Sequence, residues 1–321
     1  MIRTPLCDLL GIDHPIIQAG MGPFGSAGLA AAVSNAGGLG TVSTFTRPVE
    51  DTRRQLSQVE DLTSRPFAVN HVVQAVDEET FALGLAAHPK LVSFALADPG
   101  DLVERAHDNG ALVMLQVTTV RQAVAAADRG VDIVIAQGGE AGGYGGTIST
   151  MTLLPQVVDA VRPLPVVAAG GIFDGRGLAA ALLLGAVGVN LGTRFLASAE
   201  APISDAYKQV IISAASEDAV KVDVLNDISP VGNQGFVTVL RAVNTPFIEE
   251  WQAKREEARR EAERLGRRIM EAMRGGDVHE VLPTAGQTVG GIRAVVPAAE
   301  IVRRLIAEAE ETLRSAPVNL A

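Results

Sequence analysis

Cysteine occurs once in this chain, at Cys7. A lone thiol closes no intramolecular disulfide, so the expected setting is a reducing compartment, the cytoplasm. Aromatic residues make up only 4% of the sequence, with one tryptophan and two tyrosines, so each large ring marks its position. Cations are outnumbered: 27 lysines and arginines against 37 acidic residues give a formal charge of -10. That balance argues against nucleic acid and anionic membrane surfaces as partners, since both need clustered cations. The start, Met1-Ile-Arg-Thr-Pro-Leu6, lacks the basic-then-apolar layout of a secretion signal. The uncharged stretch between Arg176 and Arg194 is broken by Gly177, Gly185, Gly188, Asn190 and Gly192. It falls short of the roughly 20 apolar residues of a spanning helix and reads as a buried helix and strand of a soluble protein.

What the chain does have is a regular alternation. Apolar runs at Pro15–Gly20, Gly38–Ser43, Phe67–Val73, Leu91–Ala97, Ala111–Val117, Val131–Gln137, Pro165–Gly170 and Gly188–Gly192 predict strands. Helical patterns lie between them, near 26–36, 48–62, 78–88, 99–109, 119–129, 150–161 and 175–184. The runs are apolar at successive positions, as strands covered on both faces of a parallel sheet are. Eight βα units point to an α/β fold, a (β/α)8 TIM barrel, over residues 1–200. Asp98-Pro99, Thr118/Thr119 and Asp174 are candidate helix caps. A lid or substrate segment is expected over 201–290. Within it, 215–247 reads as irregular, with turn clusters at Asn226–Pro230 and Gly232–Gly235. Glu249–Arg274 reads as one charged, solvated helix. The stretch 291–321 carries a last helix, about Pro297–Arg314, expected to pack back on the barrel.

Barrels of this kind place their chemistry at the C-terminal strand ends. Those ends hold Gln18-Ala19-Gly20-Met21, Ser43, Asn70-His71, Gln116, Gln137 to Tyr144, Gly170-Gly171 and Gly192-Thr193. The set is amides, hydroxyls and glycines, with no carboxylate pair and no His/Cys cluster, which argues against a metal site and a metal hydrolase. Gln137-Gly-Gly-Glu-Ala141-Gly142-Gly143-Tyr144-Gly-Gly146 is a loop with almost no side chains, suited to a flat or charged ligand lying on main-chain atoms. Gly170-Gly171 and Gly192-Thr193 read either as tight-turn glycines or as bare amides for a phosphate. Both pairs in this order favour phosphate.

In their order along the chain, Gln18-Ala-Gly-Met21, Pro66-Phe-Ala-Val-Asn70, Gln137 to Gly143, Ala168-Ala-Gly-Gly-Ile172, Gly192-Thr-Arg-Phe-Leu196 and Ala285-Gly-Gln-Thr-Val-Gly290 resemble the nitronate monooxygenase (2-nitropropane dioxygenase) family. The FMN-dependent enoyl-acyl-carrier-protein reductases share that fold and several of these motifs. The resemblance implies an FMN-binding barrel with a smaller, mostly helical C-terminal segment over the mouth. It implies a cofactor set of Ala19, Gly20, Met21, Asn70, Gln116, Gln137, Ala141, Gly142, Gly143, Gly170, Gly171, Gly192, Thr193 and Gln287. One phosphate nest without a second glycine fingerprint favours FMN over FAD. Where many family members carry a histidine that removes a substrate proton, this chain carries Tyr144, whose unperturbed pKa near 10 makes it a poor base. His71, after Asn70, is the other catalytic candidate. The expected activity is nitronate oxidation with dioxygen. The alternatives are an NAD(P)H-driven reductase of enoyl thioesters or quinones, and a flavin-binding protein without turnover. A small-molecule substrate is expected, and a homodimer is left open.

Overall fold

The computed structural model describes residues 2–229 and 238–315. Its strands are β1 (Ile16–Gln18), β2 (Gly40–Ser43), β3 (Phe67–Val72), β4 (Leu91–Ala95), β5 (Leu112–Val117), β6 (Ile133–Gln137), β7 (Gly143–Gly145), β8 (Val166–Ala169), β9 (Gly188–Leu191), β10 (Ala219–Lys221) and β11 (Val239–Val243). All except β7, β10 and β11 pair in parallel, in the order β1-β9-β8-β6-β5-β4-β3-β2. The ring closes where the Gln18 amide donates to the Leu39 carbonyl and the Leu39 amide to that of Ile16, both at 2.9 Å. The eight-unit barrel is therefore real, with helices Ala27–Asn35, Val49–Leu62, Glu78–Ala86, Leu102–Asp108, Val120–Asp128, Thr150–Val161 and Gly175–Leu183 between its strands.

The two-faced apolar strands explain the architecture. Ile17, Leu91, Met114, Ile133 and Val167 fill the barrel interior, while Ile16, Val92, Val113, Val134 and Val166 pack outward under the helices. Leu6, Cys7 and Leu10 of the short helix Pro5–Leu10 join the interior cluster and plug its N-terminal end, which buries the only thiol far from the mouth. Asp174 caps its helix through the amides of Arg176 and Gly177, and Thr119 caps through Gln122. Asp98 does not cap; it turns the chain by accepting from the Gly100 amide at 2.9 Å, and the helix begins at Leu102.

The described residues of 215–247 are more ordered than their composition suggests. They contain β10, the short helix Leu225–Ile228 and β11, and β11 pairs antiparallel with both β10 and β7. The expected turn cluster at Gly232–Gly235, like Pro230, lies outside the described residues. The charged helix is also three helices, Pro246–Ala253, Arg255–Arg260 and Ala262–Gly275. Lys254 and Glu261 leave helical dihedrals between them, which lets the chain wrap a second core containing Trp251, Ala258, Leu265 and Ile269. The last helix, Ala298–Ser315, lies so close to Gly175 that a Cβ there would stand 2.3 Å from the Ala309 nitrogen. Among the described residues no helix is long and apolar enough to cross a membrane.

Candidate functional site

The barrel mouth opens into a cavity of about 540 Å³, walled by the strand ends on one side and the second core on the other. Ala19, Gly20, Met21, Asn70, Gln116, Gln137, Ala141, Gly142, Gly143, Tyr144, Gly170, Gly171, Gly192 and Thr193 all line it. Asn70 sits beneath Gly20, where a Cβ would fall 2.2 Å from the Asn70 side-chain oxygen. Its amide donates to the Ser93 carbonyl at 3.2 Å, which fixes its orientation. Gln116 donates to the Gln137 side-chain oxygen at 3.1 Å, so the two amides form one polar strip across the floor. Met21 holds a left-handed φ of 54°, a conformation that non-glycine residues occupy only when their surroundings force it.

The glycine loop is held from three sides. The Glu140 carboxylate accepts from the Thr150 amide and hydroxyl at 3.0 Å, and its carbonyl accepts from the Gln287 amide at 2.9 Å. Gly142 allows the 285–286 segment to lie directly on the loop, since a Cβ would stand 2.5 Å from the Gly286 nitrogen. Arg241 on β11 donates to the Gly139 carbonyl through Nε at 3.2 Å and Nη2 at 2.9 Å, and to the Ala219 carbonyl. Neither Glu140 nor Arg241 is recognisable from sequence: Arg241 and Gly139 are 102 positions apart, and only the fold joins them. Gln287 itself is not in the cavity wall, but its neighbours Gly286 and Thr288 are, and the Thr193 hydroxyl accepts from the Gly286 amide at 2.9 Å.

Tyr144 lies on β7 opposite Leu240 and is half-buried, its ring against the cluster of Val72, Ala95 and Leu96. Burial pushes its hydroxyl up to about 12, and no charge or hydrogen bond counteracts the shift. It is therefore a neutral donor at the cavity face. His71 is placed elsewhere. Side chains alternate along a strand, so Asn70 facing the mouth puts His71 on the outer face of β3. There it is fully buried, stacked with Phe94 and edge-on to Phe81, with Nδ1 2.9 Å from the Thr44 hydroxyl. Desolvation lowers it to about 4. Sequence could not choose between the faces because both are apolar.

Two features test whether the mouth fits a flavin nucleotide. The Asn190 side-chain oxygen is buried in the cavity wall with no partner among the described residues, an acceptor open to a ligand's donor. The amides of Gly171, Gly192 and Thr193 have no acceptor among the described residues, and Gly171 turns at φ +73°, which brings main chain rather than side chain to the cavity. Free amides at one end and neutral side-chain amides on the floor match a phosphate and a heterocycle. Among the described residues no three His, Cys, Asp or Glu side chains gather as metal ligands.

The sequence matches the nitronate monooxygenase family over residues 3–83 and 73–308. The chain belongs to that family. Within it, and so among the oxidoreductases, the chain is 41% identical over 222 residues to the (3aS,4S,5R,7aS)-5-hydroxy-7a-methyl-1-oxo-octahydro-1H-indene-4-carboxyl-CoA dehydrogenase of Mycobacterium tuberculosis. That match spans 68% of this chain and 62% of that protein, less than two-thirds of its length. A probable nitronate monooxygenase of Staphylococcus saprophyticus is 34% identical over 272 residues, 70% of this chain and 76% of the relative. Among solved structures, FabK from Thermotoga maritima superposes with a TM-score of 0.90 at 33% identity, covering 99% of this chain and 100% of FabK. Both the family and the FabK enzymes are flavin-dependent in general.

Proposed function

We propose that this chain is an FMN-dependent oxidoreductase that oxidises alkyl nitronates, with dioxygen as the second substrate. The observation that carries this reading is the pairing of a neutral-amide and free-amide mouth with a hydroxyl donor, Tyr144, in place of a base. Asn70, Gln116, Gln137 and Asn190 would hold the heterocycle, and the amides of Gly171, Gly192 and Thr193 the phosphate. Bound FMN would supply the electron-accepting chemistry that no side chain of the mouth offers. A nitronate arrives already deprotonated, so what the protein must offer it is a hydrogen bond to a nitro-group oxygen and exclusion of water. Tyr144 can donate that bond. Leu240 and Met273 of the second core cover the other side of the cavity and exclude water.

The test is mass analysis of the heat-released chromophore, then anaerobic mixing of the yellow protein with a nitronate, with NADH and with NADPH. Bleaching by the nitronate supports the reading; a chromophore of FAD mass, or bleaching by a nicotinamide alone, refutes it. A second reading has its own support. The 41% identity with a carboxyl-CoA dehydrogenase and the apolar lid fit redox chemistry beside a thioester, with NAD(P)H or dioxygen closing the cycle. Flavin reduction by NADH, followed by reoxidation by an enoyl thioester, would favour it.

A further inference from the structure

A second cavity, of about 770 Å³, lies outside the barrel beside the helices Gly175–Leu183 and Ala298–Ser315. It backs onto the mouth: Ile172 and Thr193 line the mouth, whereas their chain neighbours Phe173 and Arg194 line this groove. Four arginines, Arg176, Arg194, Arg293 and Arg304, line it together with three carboxylates, Asp174, Glu308 and Glu311. The carboxylates are already committed. Asp174 pairs with Arg176 at 2.5 Å and caps the helix that follows it, Glu308 accepts from the Gly175 amide at 2.9 Å, and Glu311 pairs with Arg314 at 2.5 Å. Arg304 is matched by Glu300.

Arg194 and Arg293 are left over. Among the described residues, both terminal nitrogens of Arg194 reach only the Ala294 carbonyl, at 3.3 Å, and Arg293 donates only to the Gly290 carbonyl. A guanidinium has five donors in a fork suited to phosphate, and here most of them are unused. Burial, with Arg304 adding repulsion, lowers Arg194 to about 10, and the nearby Glu300 and Glu308, each engaged elsewhere, only partly offset it. Between the arginines the floor is apolar. The Phe173 ring is seated against Gly291, where a Cβ would meet it at 2.2 Å, so it forms a fixed platform beside Ile292. The volume falls in the roughly 300–1,000 Å³ range of small-ligand sites.

We propose that this groove binds a nucleoside diphosphate, with its phosphates on Arg194 and Arg293 and its ring on the Phe173–Ile292 floor. The site is separate from the mouth and does not depend on which substrate the mouth takes.

Calorimetric titration of the purified protein with ADP, following flavin absorbance in the same samples, tests it. The expected result is saturable binding with one ADP per chain and no loss of flavin. Losing a charge-assisted phosphate contact should weaken it by about tenfold in Arg293→Ala and by at least as much in Arg194→Gln. Raising salt should weaken it too, and adenosine or inorganic phosphate alone should bind less tightly than ADP. Arg293 is exposed, so its variant reports even if Arg194→Gln folds poorly. Absence of saturable ADP binding at millimolar concentration, or equal binding in Arg293→Ala, would overturn the proposal. So would binding that releases flavin, which would place ADP in the mouth.

Discussion

Replacing Tyr144 separates the two halves of the proposed chemistry. With its hydroxyl at about 12, the ionised fraction at pH 7 is on the order of 10⁻⁵, too little for a general base. A positioned base typically contributes about 10²- to 10⁴-fold. The wild type should therefore turn over a preformed nitronate about 10²- to 10⁴-fold faster than the same compound as a neutral nitroalkane. Tyr144→His should narrow that gap, because an imidazole near pH 6.5 is mostly unprotonated at neutral pH. Tyr144→Phe keeps the ring against Val72, Ala95 and Leu96 and removes one hydrogen bond to the nitronate anion. A hydrogen bond to a charged group is worth about 1.5–3 kcal/mol, so nitronate oxidation should fall by about 10- to 150-fold. Initial rates of dioxygen consumption on the two ionisation forms, for all three proteins, give the comparison. Rapid wild-type turnover of the neutral nitroalkane would show that a base other than Tyr144 works in the mouth and would refute this role for the tyrosine.

Three further outcomes follow from particular residues. His71 is lowered from 6.5 to about 4, so it stays neutral in the fold while the unfolded chain takes up a proton. Its contribution is intact above pH 6.5 and is lost as pH falls toward 4, on the order of 3 kcal/mol in all. His71→Phe should flatten the acid side of a urea-midpoint profile without lowering flavin content; an unchanged profile counts against the assignment. Arg241→Met removes the clamp on Gly139, and flavin affinity measured by fluorescence should drop by about tenfold with only modest loss of stability, on the order of 1–3 kcal/mol. Unaltered affinity would mean the loop holds itself. Gly171→Ala forces a side chain into a left-handed turn, worth about 1–2 kcal/mol of strain, which the chain relieves by turning the amide from the phosphate position. Apoprotein with a reduced urea midpoint is expected, and full flavin occupancy would contradict the phosphate assignment.

The sequence alone carried the barrel and most of the mouth. Strands covered on both faces are apolar at successive positions, so runs such as Ile133–Gln137, polar only at its mouth end, and Val166–Ala169 stand out between helical patterns without any knowledge of partners. Glycines where main chain must approach another segment, as at Gly142, are local in cause and therefore local in signal. The tertiary structure decided what depends on distant pairing. The inward or outward direction of His71 was hidden because both faces of β3 are apolar, and only the register with β4 and the helix above it resolves the choice. The strand Gly143–Gly145 has little β propensity and exists because Val239–Arg241 pairs with it across the lid. Arg241 became part of the site only through a contact spanning 102 residues, and Met270 and Met273 only through the breaks that wrap their helix over the mouth. Local pattern records whether a residue is covered. Which segment covers it is a property of the folded chain.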